Sequence, residues 1–122
     1  MSLVVVLGVG LLGAVGAIAR FLLDGAVSSR LGRAFPYGTL AVNLSGAFAF
    51  GVLAGAALSG DALRLAGTGF LGGYTTFSTW MLETHRLAED GRMGLGALNV
   101  VVSLIVGVLA AWLGRKVGAA LV

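Results

Sequence analysis

An all-α membrane protein is the fold class the sequence predicts, with four transmembrane helices in one domain over residues 1–122. Three observations predict it. Charged residues are 11% of the chain and hydrophobic residues 58%, whereas a soluble domain carries about 25% charge. The charges are also segregated. Met1–Ala19, Ala34–Gly60, Leu65–Leu82 and Met93–Gly114 contain none, and each run supplies the ~20 residues of a membrane-crossing helix. Finally, the runs are continuously apolar, without the alternation of a membrane barrel. The same composition excludes other classes. A mean hydropathy of +1.02 excludes disorder. The absence of cysteine excludes a disulfide scaffold, a Cys-ligated metal and thiol chemistry, and a single histidine argues against a His-based site.

The first span is placed at about 3–23. A signal peptide is the alternative, but Met1–Val6 has no basic segment and the apolar run continues to Arg20. Arg20 is the one charge inside an apolar span. It either snorkels to the interface or makes the mouth of an anion path positive, with Asp24 one turn on as a possible partner. Asp24–Tyr37 is expected to be the longest connection. The second span, 38–58, carries Ala47, Gly51 and Gly55 four apart, a stripe suited to close helix packing. Asn43 lies mid-span with Thr39 one turn earlier. Intramembrane polar groups are costly, so Asn43 is either a helix–helix hydrogen bond or part of a functional site.

The third span, 63–83, is unusual. It contains Gly72-Gly73 followed by Thr75, Thr76, Ser78 and Thr79, a poor helix interior. One reading is a helix broken near its middle, with freed backbone groups lining a polar cavity. The other is a continuous helix whose hydroxyls bond back to its own carbonyls. Phe77 and Trp80, three apart, share a face. They serve packing, or they present the positive edges of their rings to an anion. Glu83, His85, Arg86, Glu89, Asp90 and Arg92 read as a solvated mixed-charge loop. The fourth span, 95–114, carries Asn99 and Ser103, with Asn99 expected near the membrane surface, and a small-residue stripe of Ser103, Gly107 and Ala111.

Four spans put both termini on one side. That side, with the loop between spans 2 and 3, holds Arg64, Arg115 and Lys116; the other holds Arg30, Arg33, Arg86 and Arg92. Orientation follows Lys/Arg bias, and three against four is almost none. Either the small bias suffices or the chain inserts both ways and pairs antiparallel. Four short spans enclose little pathway alone, which favours an oligomer.

Three segments together resemble the CrcB/Fluc family of fluoride channels, over nearly the whole chain: Gly13–Phe21 with its late arginine, Gly38-Thr39-Leu40-Ala41-Val42-Asn43-Leu44-Ser45-Gly46, and Gly69–Trp80 with its Gly-Gly-x-Thr-Thr-Phe-Ser-Thr-aromatic run. The resemblance implies an antiparallel, dual-topology homodimer with two pores in the cell membrane (plasma or inner). It passes fluoride outward passively in preference to chloride. It also implies pore roles for Asn43, Phe77 and Trp80, where phenylalanine is usual at the last. A larger indole would still offer positive edges and add an N–H donor. Thr39, Thr76, Ser78 and Ser103 resemble the family's polar pore lining, Asn99 stands where a pore tyrosine can occur, and Arg20 would raise the potential at a vestibule. The resemblance further implies one structural Na⁺ at the dimer axis, held by backbone carbonyls matching Gly72 and Thr75. No organic cofactor, nucleic-acid partner or enzymatic constellation is expected. Two alternatives stand beside this reading. One is half of a heterodimeric fluoride channel. The other is a four-span proton-coupled drug transporter, which needs a deep acidic residue in its first span. Leu3–Ala19 contains none.

Overall fold

A computed structural model describes all residues, Met1–Val122, and every regular element in it is helical. The elements are α1 (Leu3–Leu31), α2 (Tyr37–Gly55), α3 (Gly60–Leu63), a π-helix (Arg64–Leu71), α4 (Gly72–Tyr74), α5 (Ser78–Glu89) and α6 (Met93–Ala120). Three of them, α1, α2 and α6, are long and apolar enough to cross a membrane.

Local chemistry sets their ends. Ser2 caps α1 by accepting the Val5 N–H at 3.3 Å. The helix does not stop at Leu23 as expected. Ser28 Oγ donates to Asp24 Oδ1 one turn back, at 3.1 Å, so both polar side chains are accommodated on the helix itself. It ends at Gly32, whose φ of +81° favours glycine, with the Gly32 N–H returning to the Ser28 carbonyl. The expected long connection shrinks to residues 32–36. Similarly, α6 continues past residue 114 to Ala120. With 29, 19 and 28 residues, α1, α2 and α6 are about 44, 28 and 42 Å long.

The most extensive pairing joins α2 to α6, and it rests on missing side chains. A Cβ on Gly51 or Gly55 would collide with the Ala111 or Arg115 carbonyl. From the other side, a Cβ on Gly114 or Gly118 would collide with the Phe48 or Val52 carbonyl. Backbone therefore lies on backbone, the geometry that small residues permit in lipid. Of the expected α6 stripe only Ala111 makes this contact, its carbonyl facing Gly51. Gly107 has open space around it, and the contact is made one to three turns later. On the opposite flank, α1 packs against the π-helix and α4, where Gly73 fits directly on the Gly13 carbonyl.

Only 18 of the 122 residues are buried, so this chain has no core sufficient for water. Leu7, Leu11 and Ile18 of α1 and Leu104, Ile105 and Val108 of α6 are exposed. An apolar surface of this extent marks contact with lipid or protein.

Candidate functional site

The expected third span contains a π-helix. In it the Gly72 N–H reaches the Gly67 carbonyl, five residues back. Such segments recur at functional sites. Gly72 and Gly73 are still helical. The chain leaves the helix at Thr75, which is extended (φ −82°, ψ 158°), and returns to helical angles at Phe77.

Side chains close the gap. Thr75 stays bonded to the preceding helix, with its N–H (3.0 Å) and Oγ1 (2.9 Å) both donating to the Leu71 carbonyl. The Thr76 N–H, which a continuous helix would return to Gly72, donates instead to Asn43 Oδ1 at 2.9 Å. Asn43 Nδ2 donates to the Thr76 carbonyl at 2.8 Å. This pair of bonds also fixes which way the amide points, since the N–H needs an acceptor and the carbonyl a donor. The Thr79 N–H, which would return to Thr75, donates to Thr76 Oγ1 at 3.2 Å, as to an N-cap. Thus the carbonyls of Gly72 and Thr75 each lose their helical donor to a named side chain. Gly46 makes room for the break on α2, because a Cβ there would strike the Thr75 methyl.

Two adjoining grooves run beside the break, both open along one side. The first, about 270 Å³, is lined by Asn43, Ala47, Phe50, Thr75, Thr76, Phe77 and Trp80. The second, about 300 Å³, shares Asn43, Ala47 and Trp80 and continues along α6 past Ser103 and Gly107. Phe77 and Trp80 meet edge-on, with centroids 5.6 Å apart and planes at 84°. Phe77 is 70% exposed, a large aromatic left uncovered in the single chain. Asn43 keeps one amide N–H without a partner among the hydrogen bonds of the site.

Of the expected residues, the fold brings Asn43, Thr76, Phe77, Trp80 and Ser103 to the grooves. Ser78 lies just outside, exposed, its Oγ 3.3 Å from Thr76 Oγ1. Thr39 is elsewhere. It is 3% exposed and donates to the Glu83 carboxylate. The expectation of a solvated Glu83 is thereby corrected. Glu83 is half-buried and lines a separate polar cavity of about 220 Å³ with Arg33, Arg86, Asp90 and Arg92. The remaining charges from His85 to Arg92 are exposed as expected, although they sit on α5 rather than in a loop through Glu89. The only sequence signal for Glu83 is its place two turns after Phe77 and one after Trp80.

Two further expectations change, and the surroundings of Asn99 become specific. Arg20 does not pair with Asp24. No carboxylate lies within ion-pair distance, its Nε is buried without a partner, and Asp24 is engaged by Ser28. The Trp80 indole adds no free donor, because its N–H already bonds the Asn99 carbonyl at 3.3 Å. Asn99 is enclosed by protein. It is 1% exposed and donates to Thr84 Oγ1 at 2.8 Å.

Against known proteins, residues 7–115 match the family model described as CrcB-like protein, Camphor Resistance (CrcB). A protein of Mycobacterium tuberculosis named fluoride-specific ion channel FluC 2 is 55% identical over 115 residues, covering 94% of this chain and 91% of its own length. The fluoride-specific ion channel FluC of Geobacter sulfurreducens is 48% identical over 114 residues, covering 89% and 92%. Citrifermentans bemidjiense has a protein of the same name at 47% identity over 118 residues, covering 93% and 95%. A match over most of the chain to the family model, joined by near-full-length relatives at this identity, establishes that the chain belongs to the CrcB family.

Proposed function

We infer that this chain is a fluoride-selective channel of the cell membrane that exports F⁻ passively and thereby limits fluoride toxicity. It is not an enzyme. The relatives' function supports the reading. The observation that carries it in this chain is the open groove where Asn43, Phe77 and Trp80 converge. Fluoride is small and strongly hydrated, so a path must replace its water with donors that do not hold it. Conduction needs sites tight enough to admit the ion and loose enough to release it. The unpartnered amide N–H of Asn43 and the Ser103 hydroxyl supply hydrogen bonds, while Thr76 lines the groove with a hydroxyl engaged by Ser78 and Thr79. Phe77 and Trp80 supply ring edges, which attract an anion without a full charge. Ser78 extends the hydroxyl lining beside Thr76, whereas Thr39, away from the grooves and donating to Glu83, takes no part in it. Arg20, without a counter-ion, keeps the approach positive.

In this reading α1, α2, the interrupted segment from Gly60 to Glu89, and α6 are four spans of a single domain, the third broken at Thr75–Phe77. The uncovered groove side and the nearly balanced Lys/Arg count support an antiparallel homodimer with two pores. The proposed sodium site is compatible with the residues present, because the break leaves the carbonyls from Gly72 to Thr75 without their helical donors, Gly72 and Thr75 among them. A hard cation prefers such oxygens, and bound there it would supply fixed positive charge and hold the two chains together.

Fluoride efflux from liposomes holding the purified chain alone, read with a fluoride electrode beside chloride, tests this. Fast fluoride release without chloride release is expected. Release of both ions alike would overturn selectivity. Silence from a folded dimer would point to an unlike partner chain.

A further inference from the structure

Three hydrogen bonds close a ring around Trp80. Its Nε1–H donates to the Asn99 carbonyl at 3.3 Å. Asn99 Nδ2 donates to Thr84 Oγ1 at 2.8 Å. Thr84 Oγ1 donates to the Trp80 carbonyl at 2.9 Å. The ring therefore joins α5 twice to α6 once, and its direction is fixed. Thr84 has a single proton, which goes to a carbonyl, so its oxygen is left to accept the amide. Asn99 is one of the two largest fully buried side chains of the molecule. A polar side chain so placed in an apolar helix is retained only with its partner in reach.

We propose, building on the fluoride-path reading above, that Asn99 and Thr84 are positioning residues for the second aromatic site. Their side-chain bond ties α5 to α6 where the main-chain carbonyl of Asn99 accepts the Trp80 N–H, so the indole is held with its N–H turned onto α6 and only C–H edge and ring face remain for the two grooves. The asymmetry of an indole makes this necessary. A phenyl ring turned over about its bond presents the same edge. An indole turned over presents its N–H, a strong donor, and fluoride held there would leave slowly. Conduction depends on weak successive sites. The T-shaped contact with Phe77 depends on the same orientation.

The test separates this ring from ordinary helix packing. Trp112 lies exposed on α6 outside both grooves, so a Trp112→Phe parent has one indole, whose ¹⁵N–¹H signal reports Trp80 alone. In detergent micelles that signal should be single and slow to exchange. Thr84→Val removes the ring's acceptor and donor at nearly constant shape. It should broaden or split the signal and lower fluoride flux by about three- to tenfold, the worth of one or two hydrogen bonds. Thr84→Ser should restore both. Adding Thr84→Val to Trp80→Phe should change flux little further, since a phenyl has no N–H to lock. Asn99→Ser cuts the ring at another point if Thr84→Val does not fold. Equal losses with Trp80 present and in the Trp80→Phe background, or an unchanged indole signal, would overturn the proposal. A parent without fluoride flux but with the slow, single signal would remove the channel reading while leaving the lock in place.

Discussion

The α2–α6 pair and the Thr75–Phe77 break are both places where α2 meets another segment closely, and they achieve it by opposite means. Along α2–α6, contact comes from deleting side chains. Glycines at 51, 55, 114 and 118 let carbonyls approach the facing backbone, and each helix keeps its own hydrogen bonds. At the break, contact comes from adding a side chain. Asn43 takes over both backbone groups of Thr76. The first arrangement is dry and geometrically unforgiving. The second leaves carbonyls and an amide proton with capacity for something other than protein. Within lipid, exposed backbone is tolerated only where protein or a polar cavity receives it, and the groove beside the break is the place that receives it here.

Asn43→Asp breaks the second arrangement most severely. A carboxylate still accepts the Thr76 N–H but cannot donate to the Thr76 carbonyl. It also sets a negative charge where an anion passes. Like charges ~4 Å apart at intermediate dielectric repel by about 4 kcal/mol, so fluoride flux in liposomes should fall at least about a hundredfold. Unchanged flux in a folded variant would remove Asn43 from the path. Gly114→Val attacks the first arrangement. Its Cβ meets the Phe48 backbone, and overpacking of this kind costs about 1–3 kcal/mol. The melting temperature in detergent should drop, while flux per folded dimer changes far less.

Phe77→Ile sharpens the comparison, because it keeps bulk and removes the ring edge. Flux should fall by about two- to tenfold, on the scale of an aromatic contact of ~0.5–1.5 kcal/mol, with thermal stability nearly intact because the side chain is exposed. The smallest effect belongs to Thr76→Val. It deletes the hydroxyl that caps the Thr79 N–H, at a cost of about 1 kcal/mol. Faster amide exchange at Thr79 and the first turn of α5 should report it, with α2 and α6 unaffected.

Charge-free runs were sufficient to locate α1, α2 and α6, because ~20 consecutive apolar residues match the thickness of a bilayer and little else. They placed helix ends poorly. A charge marks where a helix leaves apolar surroundings, not where its backbone stops, and Ser28 and Asp24 satisfy each other within α1. The poor helix interior of the third span was legible from its Gly, Thr and Ser content. Its boundaries were not legible, because glycines permit a break whereas a competing hydrogen bond makes one. That bond comes from Asn43, 33 residues away in the chain. The partners of Glu83 and of the Trp80 N–H were hidden for the same reason. Each lies on another helix, at Thr39 and Asn99, and no local pattern records such a pairing.

The unequal helix lengths bear on how the molecule senses its surroundings. A hydrocarbon layer ~30 Å thick matches α2 standing upright, whereas α1 and α6, at about 44 and 42 Å, must tilt or push their ends into the headgroups. Those ends carry Arg30 and the pair Arg115 and Lys116, which suits contact with anionic lipid. Thickening the bilayer is therefore absorbed by the long helices as a change of tilt, while the short one has no length in reserve. Because α2 bears Asn43 and is fastened to α6 backbone on backbone, a change in α6 tilt is transmitted to the groove wall. Under the proposed channel function, bilayer thickness is therefore expected to alter fluoride flux, which liposomes of longer acyl chains would show.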